Sequence, residues 1–407
     1  TVGGTASFQR RDSLCGPLWV GSNHMRRARY KRVPAAPLPP SFIPCHAAMS
    51  RSQMHEIPPI SGELEEVMTL EQFILNQQAK RPHSTGSFSR LIRDISVAAK
   101  IINRNIRRAG LLDIIGETGT VNVQGEVQKK LDAIADQELT RALRRGGECC
   151  LIGSEEQAET VPISSRVDGE SKYVIYFDPL DGSSNTGMNV SIGTIFSIYH
   201  LPDDYDPNDV LDVALQPGVE QVGAGYVAYG SSTMLVYTAG DGVNGFTLDP
   251  SIGEFLLSHP DMRIPSIGQT FSINEADEED FSDALRAYLR WLKKKNPETG
   301  KRLRARYIGS FVSDFHRNLL TGGVYVYPAS AANPNGKLRL MYEANPMAMI
   351  VEQAGGAATD GTRRILELEP DDLHQRIPLY IGSSPLVEAA QAFLSGEPER
   401  VEAHPRS

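Results

Sequence analysis

The stretch Phe177-Asp178-Pro179-Leu180-Asp181-Gly182-Ser183-Ser184-Asn185 decides how the rest of the chain is read. It follows directly on Tyr173-Val174-Ile175-Tyr176-Phe177, an apolar run rich in β-branched and aromatic residues that predicts a buried strand. Two carboxylates three residues apart are therefore expected at that strand's C-terminal end, where open α/β folds place ligands. Pro179 fixes φ and removes a donor, so a tight turn that lets Asp178 and Asp181 converge is expected. Gly182-Ser183-Ser184 adds backbone N–H groups and hydroxyls of the kind that receive a phosphate. In isolation, Asp-Pro-x-Asp would read as an ordinary Asx-Pro turn. The strand before it and the Gly-Ser-Ser-Asn run after it favour a site.

Outward from this motif, residues 88–108 carry Leu91, Ile92, Ile95, Ala98, Ala99, Ile102 and Ile106 at helical spacing. Ser87 or Ser89 is the expected N-cap there, and Gly110 the stop. Residues 126–145 predict a second helix, ending at Gly146-Gly147. A strand is expected over 191–199, and two more over 244–248 and 254–257, either side of a turn at Asp249-Pro250. In the C-terminal third, helices over 311–320, 346–354 and 385–394 alternate with strands over 323–327 and 378–381. Strands alternating with helices imply a layered α/β fold.

With 407 residues, 40% of them hydrophobic, the chain can bury a sizeable core. Its net charge of −9 does not suit an electrostatic nucleic-acid binder. No run approaches the ~18 consecutive apolar residues of a membrane span. Four cysteines, Cys15, Cys45, Cys149 and Cys150, are too few for a disulfide framework and fit a reducing, cytoplasmic setting. Residues 1–48 hold seven basic side chains against the single acid Asp12, and the remainder holds 34 basic and 49 acidic. A +6 segment thus precedes a −15 body. Three readings of the proline-rich first segment stay open: an organellar transit peptide, a disordered tail, or translated leader ahead of a start at Met49 or Met54.

Further acids flank the central motif. Ser154-Glu155-Glu156 follows the apolar pair Leu151-Ile152. Adjacent carboxylates on an extended segment point to opposite faces, so one can ligate a metal while the other acts elsewhere in a site. Over 338–343, strand alternation puts Leu338, Leu340 and Tyr342 on one face and Arg339, Met341 and Glu343 on the other, with Lys337 at the start. Singly, these also read as a solvated loop or as edge-strand charges. Together they supply many carboxylates and few His or Cys, the hard-oxygen donor set of Mg²⁺ or Mn²⁺. With Lys and Arg for phosphate, that is equipment for metal-assisted phosphoryl transfer to water. The sequence contains no H-E-x-x-H, G-x-x-x-x-G-K-[ST] or G-x-S-x-G.

The Asp178-to-Ser184 motif resembles, in outline, that of the magnesium-dependent, lithium-sensitive phosphomonoesterases. Longer stretches narrow the likeness. Val190-Ser191-Ile192-Gly193-Thr194-Ile195-Phe196, Arg306-Tyr307-Ile308-Gly309-Ser310, Asn335-Gly336-Lys337-Leu338-Arg339-Leu340 and Tyr342-Glu343-Ala344-Asn345-Pro346-Met347 are similar to class I fructose-1,6-bisphosphatases. The resemblance runs from about residue 69 to 394. It implies an α-β-α-β-α sandwich of two closely packed α/β domains. The expected organisation is a leader over 1–60, a metal-binding and regulatory domain over 61–262, a sugar-phosphate-binding domain over 263–396, and a tail over 397–407.

The resemblance also implies roles. Glu155, Asp178, Asp181 and Glu343, with the carbonyl of Leu180, would hold two or more Mg²⁺ ions, and Glu126 would serve a looser third. Asp132 and Glu156 would orient and deprotonate the attacking water. Asp181, Gly182, Ser183 and Ser184 would contact the 1-phosphate end of a sugar bisphosphate, with Arg339 neutralising charge beside it. Asn274, Tyr307, Tyr327 and Lys337 would bind the 6-phosphate, and Arg306 would reach it from a neighbouring subunit of a homotetramer. Thr85, Gly86, Lys172 and Tyr173 match an AMP-inhibition site.

Departures qualify these expectations. Thr186-Gly187 stands where the family has Ile-Asp, and Asp277 where animal enzymes have a tyrosine near the 6-phosphate. His200 replaces an arginine of the AMP site, so weak or absent AMP inhibition is expected. Residues 157–171 hold no cysteine, so thioredoxin-type control is not expected. A sedoheptulose-1,7-bisphosphatase or dual-specificity enzyme shares the metal carboxylates and stays open as an alternative. A non-catalytic sugar-phosphate-binding regulator would predict a broken metal shell, whereas every expected ligand position is filled.

Overall fold

The computed structural model describes residues 67–79, 86–112, 114, 116–121, 127–163, 173–202, 214–297 and 299–403. The first half of the chain runs through α1 (Leu70–Ala79), α2 (Ser87–Ile106), β1 (Glu117–Val121), β2 (Val127–Lys129), α3 (Lys130–Gly146), β3 (Cys149–Ser154), β4 (Val161–Pro162), β5 (Tyr173–Asp181), β6 (Ile192–His200), β7 (Gln221–Tyr229), β8 (Thr233–Thr238), β9 (Val243–Asp249) and β10 (Glu254–His259). Eight of these strands form one sheet in the order β10-β9-β8-β7-β6-β5-β3-β4. From β5 to β10 it is an antiparallel meander, and β3 joins β5 in parallel.

The second half runs through β11 (Thr270–Ser272), α4 (Asp283–Leu292), β12 (Arg304–Ala305), α5 (Phe311–Thr321), β13 (Gly323–Tyr327), β14 (Leu338–Arg339), α6 (Asn345–Gln353), β15 (Ala357–Thr359), β16 (Arg376–Ile377), β17 (Leu379–Gly382) and α7 (Ser384–Leu394). Its sheet has the order β12-β11-β13-β17-β15, and β14 pairs with β16 apart from it.

Strand alternation sorts the side chains into layers. On β6, Ile192, Phe196 and Ile198 join the cluster of α1, α2 and α3, which includes Leu70, Leu91, Ile95, Leu131 and Leu139. Ile195 faces the other way, into a core shared with Phe311, Val312 and Phe315 of α5 and Met347 and Ile350 of α6. That core also takes Tyr325, Leu379 and Ile381 from the smaller sheet. The opposite face of that sheet, with Val324, Val326 and Tyr380, packs on Leu285, Tyr288 and Leu292 of α4 and Leu386, Val387 and Ala390 of α7. The order is therefore α-β-α-β-α, as expected. The described residues all belong to one compact unit, Leu64–Ser407.

Four local expectations are corrected. Helix α2 has Gly86 as its N-cap, at φ +79°, rather than Ser87 or Ser89. The Ser89 hydroxyl donates instead to Gln78 Oε1 (2.9 Å), and that of Ser87 accepts from Arg90 Nη2 (3.1 Å). This helix also ends at Ile106, before Gly110, which lies in a short 3-10 turn. The helix expected from 126 begins only at Lys130, because 127–129 pair with β1 and Asp132 caps the Lys129 N–H (3.1 Å). Finally, the strand expected over 338–343 stops at Arg339, and Leu340–Ala344 form a π-helical turn. The Glu343 carboxylate accepts from the Arg339 N–H (2.6 Å), four residues back, and curls the chain there.

The two halves approach closely where β6 crosses α5. A Cβ built on Gly193 would come within 2.5 Å of Val312 Cβ and Cγ2. Gly193→Ala is expected to destabilise by about 1–3 kcal/mol through overpacking, read as a lower urea midpoint. Val312→Ala in the same chain should recover part of the loss. A wild-type midpoint for Gly193→Ala would refute the close approach.

Candidate active site

Strand β5 does not turn at Pro179. It continues through Asp181 with one extra residue relative to β6, since Asp178 pairs with Ile195 and Asp181 with Gly193. Three residues apart on a regular strand, the two carboxylates would face opposite sides. The bulge restores them to one side, and both line the same cavity. Pro179 cannot donate to the ladder, which suits it to a bulge. The Leu180 N–H folds back onto Asp178 Oδ1 (2.9 Å), and Thr194 Oγ1 donates to the Pro179 carbonyl (2.8 Å).

Asp181 is held from the other half of the molecule. Ser310 Oγ (2.7 Å) and the Val312 N–H (2.8 Å) donate to its Oδ2, and the Phe311 N–H (3.0 Å) donates to Oδ1. These are groups at the start of α5, where a carboxylate is favoured. Gly182 then takes φ +73°, with no room for a side chain against Ser310. Ser183–Met188 form a 3-10 turn closed by Thr186 Oγ1 on the Ser183 carbonyl (2.7 Å). Thr186 thus stabilises the turn locally.

Glu343 is buried, not an edge-strand charge. One carboxylate oxygen each from Asp178, Asp181 and Glu343 lies within 4.8 Å of the others. Burial, then the charge of Glu155 and its neighbours, pushes the Asp178 carboxyl well above its usual range. Burial pushes Asp181 up to about 6 despite its three donors, and Glu343 up to about 8 despite Arg339. Arg339 Nη1 lies 3.3 Å from Glu155 Oε1 and 4.0 Å from Glu343 Oε2. One guanidinium does not balance this many acids. A buried, all-oxygen, charge-deficient donor set of this kind fits a divalent cation.

Glu155 and Glu156 follow β3 in a turn. Although neighbours in sequence, both line the cavity, contrary to the opposite faces expected of an extended segment. Asp132 reaches the same space from the first turn of α3, and its Oδ1 is buried with no hydrogen-bond partner among the described residues. Burial, then the charge of Glu156, pushes Asp132 up to about 7.

The cavity has a volume of about 510 Å³. Around it the structure gathers Asp132, Glu155, Glu156, Asp178, Leu180, Asp181, Gly182, Ser183, Ser184, Asn274, Tyr307, Tyr327, Lys337, Arg339 and Glu343. Arg306 is exposed, does not line it, and donates to the Ala305 carbonyl (2.9 Å). Asn274 caps a 3-10 turn and donates to Asp277 Oδ2 (2.9 Å), so Asp277 fixes its amide. Asn185, Gly309, Phe311 and Tyr325 also line the cavity and were not assigned from sequence.

Profiles described as "Fructose-1-6-bisphosphatase, N-terminal domain" and "Fructose-1-6-bisphosphatase, C-terminal domain" match residues 68–260 and 264–395. The chain belongs to the fructose-1,6-bisphosphatase family. It is similar to a Salinibacter ruber fructose-1,6-bisphosphatase class 1, 69% identical over 339 residues, covering 83% of this chain and 95% of that one. A Cytophaga hutchinsonii fructose-1,6-bisphosphatase class 1 is 53% identical over 331 residues, covering 81% and 95%. The solved holo structure of Leishmania major fructose-1,6-bisphosphatase superposes with a TM-score of 0.75 at 44% identity, covering 80% of this chain and 99% of that one. Of the AMP-type residues expected in this fructose-1,6-bisphosphatase family member, Gly86 and Tyr173 line a separate cavity of about 530 Å³ with His200. Thr85, Lys172 and Glu126 lie outside the described residues.

A carboxyl whose pKa rises on folding holds its proton more tightly when folded. The stability it contributes is full below the ordinary value near 4 and is lost as pH rises through the raised values, here about 6 to 8. Partly buried His316 is pushed down to about 4, so its loss of stability falls between pH 6.5 and 4, below the upper part of that range, from 6.5 to 8. In EDTA, the melting temperature should fall across that upper window by on the order of 5 °C. A divalent cation should raise it more at pH 8.5 than at pH 6.5. A flat profile in EDTA would contradict the acid crowding.

Proposed function

We propose that the chain hydrolyses the 1-phosphate of D-fructose 1,6-bisphosphate, giving fructose 6-phosphate and phosphate in carbohydrate metabolism. The observation that carries this reading is the single cavity in which the acid cluster and the phosphate-type residues Asn274, Tyr307, Tyr327, Lys337 and Arg339 occur together. Its volume suits a small, doubly phosphorylated sugar. Asp178, Asp181, Glu343 and Glu155, with the Leu180 carbonyl, would hold Mg²⁺. Bound there, the metal supplies Lewis-acid polarisation of the phosphoryl oxygens.

The chain's own groups do the remaining work. Ser183, Ser184 and the Gly182 backbone receive the 1-phosphate, and Arg339 offsets its charge. Asn274, Tyr307, Tyr327 and Lys337 hold the 6-phosphate, so the phosphorus to be attacked is placed by the far end of the substrate. Asp132 and Glu156 orient the attacking water and take its proton. A carboxyl raised to about 7 is suited to that step near neutral pH. The sugar oxygen leaves in line and ends as a hydroxyl, taking up a proton that balances the one removed from the water. Arg306 lies on the surface, and we assign it to a neighbouring subunit's 6-phosphate in a homotetramer.

Phosphate release from fructose 1,6-bisphosphate is expected to vanish in EDTA and to return with Mg²⁺. Glu156→Gln should lower kcat by about 100-fold or more. Sedoheptulose 1,7-bisphosphate, assayed in parallel, should turn over more slowly. Release that is indifferent to EDTA would sink the metal reading, and faster turnover of sedoheptulose bisphosphate would reassign the substrate.

A further inference from the structure

The turn that carries Glu155 and Glu156 has few ties of its own. Its backbone is closed by the Gln157 N–H on the Ser154 carbonyl (3.2 Å) and tied to β5 by the Glu155 N–H on the Phe177 carbonyl (3.2 Å). Gln128 Nε2 donates to Glu156 Oε2 (2.6 Å), and two further residues outside the cavity grip the turn from either side. Asp136 Oδ1 accepts from Ser154 Oγ (2.6 Å), and both its oxygens accept from Gln157 Nε2 (3.2 Å each). One carboxylate thus grips the residue before the two glutamates and the residue after them. Ser154 Oγ in turn accepts from the Glu156 N–H (3.3 Å). Asp136 lies four residues beyond Asp132 on α3, one helical turn away on the same face.

From the other side, His374 Nε2 meets the Gln157 carbonyl at 2.9 Å and Nδ1 meets the Tyr342 hydroxyl at 2.8 Å. A carbonyl only accepts, so Nε2 carries the proton and Nδ1 accepts from Tyr342. Tyr342 is fully buried and adjoins Glu343.

We propose that Asp136 and His374 are positioning residues that clamp the 154–157 turn between α3 and the π-turn at 340–344, and so fix Glu155 and Glu156 against Asp132 and Glu343. This rests on the roles proposed above for Glu155 and Glu156. Asp136 sets the Asp132-to-Glu156 spacing, because it sits on the helix that carries Asp132 while both of its attachments, Ser154 and Gln157, flank the turn that carries Glu156. His374 ties that turn to the element that carries Glu343. Partners of this kind, one bond behind the working groups, typically cost about 10–100-fold in activity or metal affinity when removed.

The test is steady-state hydrolysis of fructose 1,6-bisphosphate by the full chain, with Mg²⁺ titrated, for Asp136→Ala, Asp136→Asn and His374→Phe. Asp136→Ala and His374→Phe should lower kcat by about 10–100-fold and raise the Mg²⁺ concentration for half activity, with KM for the sugar changed less than about twofold. Asp136→Asn keeps an acceptor for Ser154 and should fall between wild type and Asp136→Ala. If Asp136→Ala does not fold, Asp136→Asn and His374→Phe decide the matter. At saturating Mg²⁺, Asp136→Ala should cost no further kcat in a Glu156→Gln chain, since it acts through that residue. Folded variants with wild-type kcat and Mg²⁺ response, beside an impaired Glu156→Gln, would overturn the clamp alone. Full activity in Glu156→Gln would remove the underlying proton-handling reading, and the clamp with it.

Discussion

Carboxylate oxygens of Asp178, Asp181 and Glu343, all buried, lie within 4.8 Å of one another. Like charges this close, out of water, do not all stay ionised without a counter-charge. Each departure from regular structure around the site serves to assemble them. The bulge in β5 turns Asp178 and Asp181 to one side. The π-turn brings Glu343 back onto Arg339. Donors from Ser310, Phe311 and Val312, the Arg339 N–H and the Leu180 N–H offset part of the cost. What they leave is a deficit of positive charge, which is what gives the cavity its chemistry.

The same contacts join the molecule's two sheets. Asp181 ends a strand of the large sheet, yet its partners start α5, which packs between that sheet and the smaller one. Gly193, opposite Asp181 in the ladder, lets Val312 of α5 approach. Ser197 Oγ donates to the Met341 carbonyl (2.8 Å), and Asn345 Nδ2 to the Tyr199 hydroxyl (3.1 Å), pinning the π-turn to β6. The acid cluster and the seam between the layers are thus built from one set of residues. Loosening the seam would also loosen the site.

Much of this is legible in the sequence, and the limits are physical. The strand over 173–177 shows because a continuous apolar run bounded by Asp-Pro has few other uses. Residues 323–327 and 311–320 show for similar reasons, by period and by flanking glycines. The bulge does not show, since it is defined by the pairing of Asp178 and Asp181 with Ile195 and Gly193 on another strand. Nor does the late start of α3, because Val127 fits a helical period and a strand equally well. The alternation in 338–343 misleads because the Glu343 carboxylate, not the apolar pattern, sets the backbone there. Asp136 leaves a faint local signal, four residues beyond Asp132 on a helical face. His374 leaves none, because its partners Gln157 and Tyr342 are distant in sequence.

Calorimetric titration of Mg²⁺ into the EDTA-stripped protein near pH 7, in buffers of differing ionisation enthalpy, tests the acid cluster most directly. With no metal, burial and mutual charge favour the protonated carboxyls of the cluster, with Glu343 pushed up to about 8, and a cation must displace those protons. Crowding of the three carboxylates predicts release of about one proton or more per chain, so the observed heat should change with the buffer. Binding heat that is the same in every buffer would contradict it.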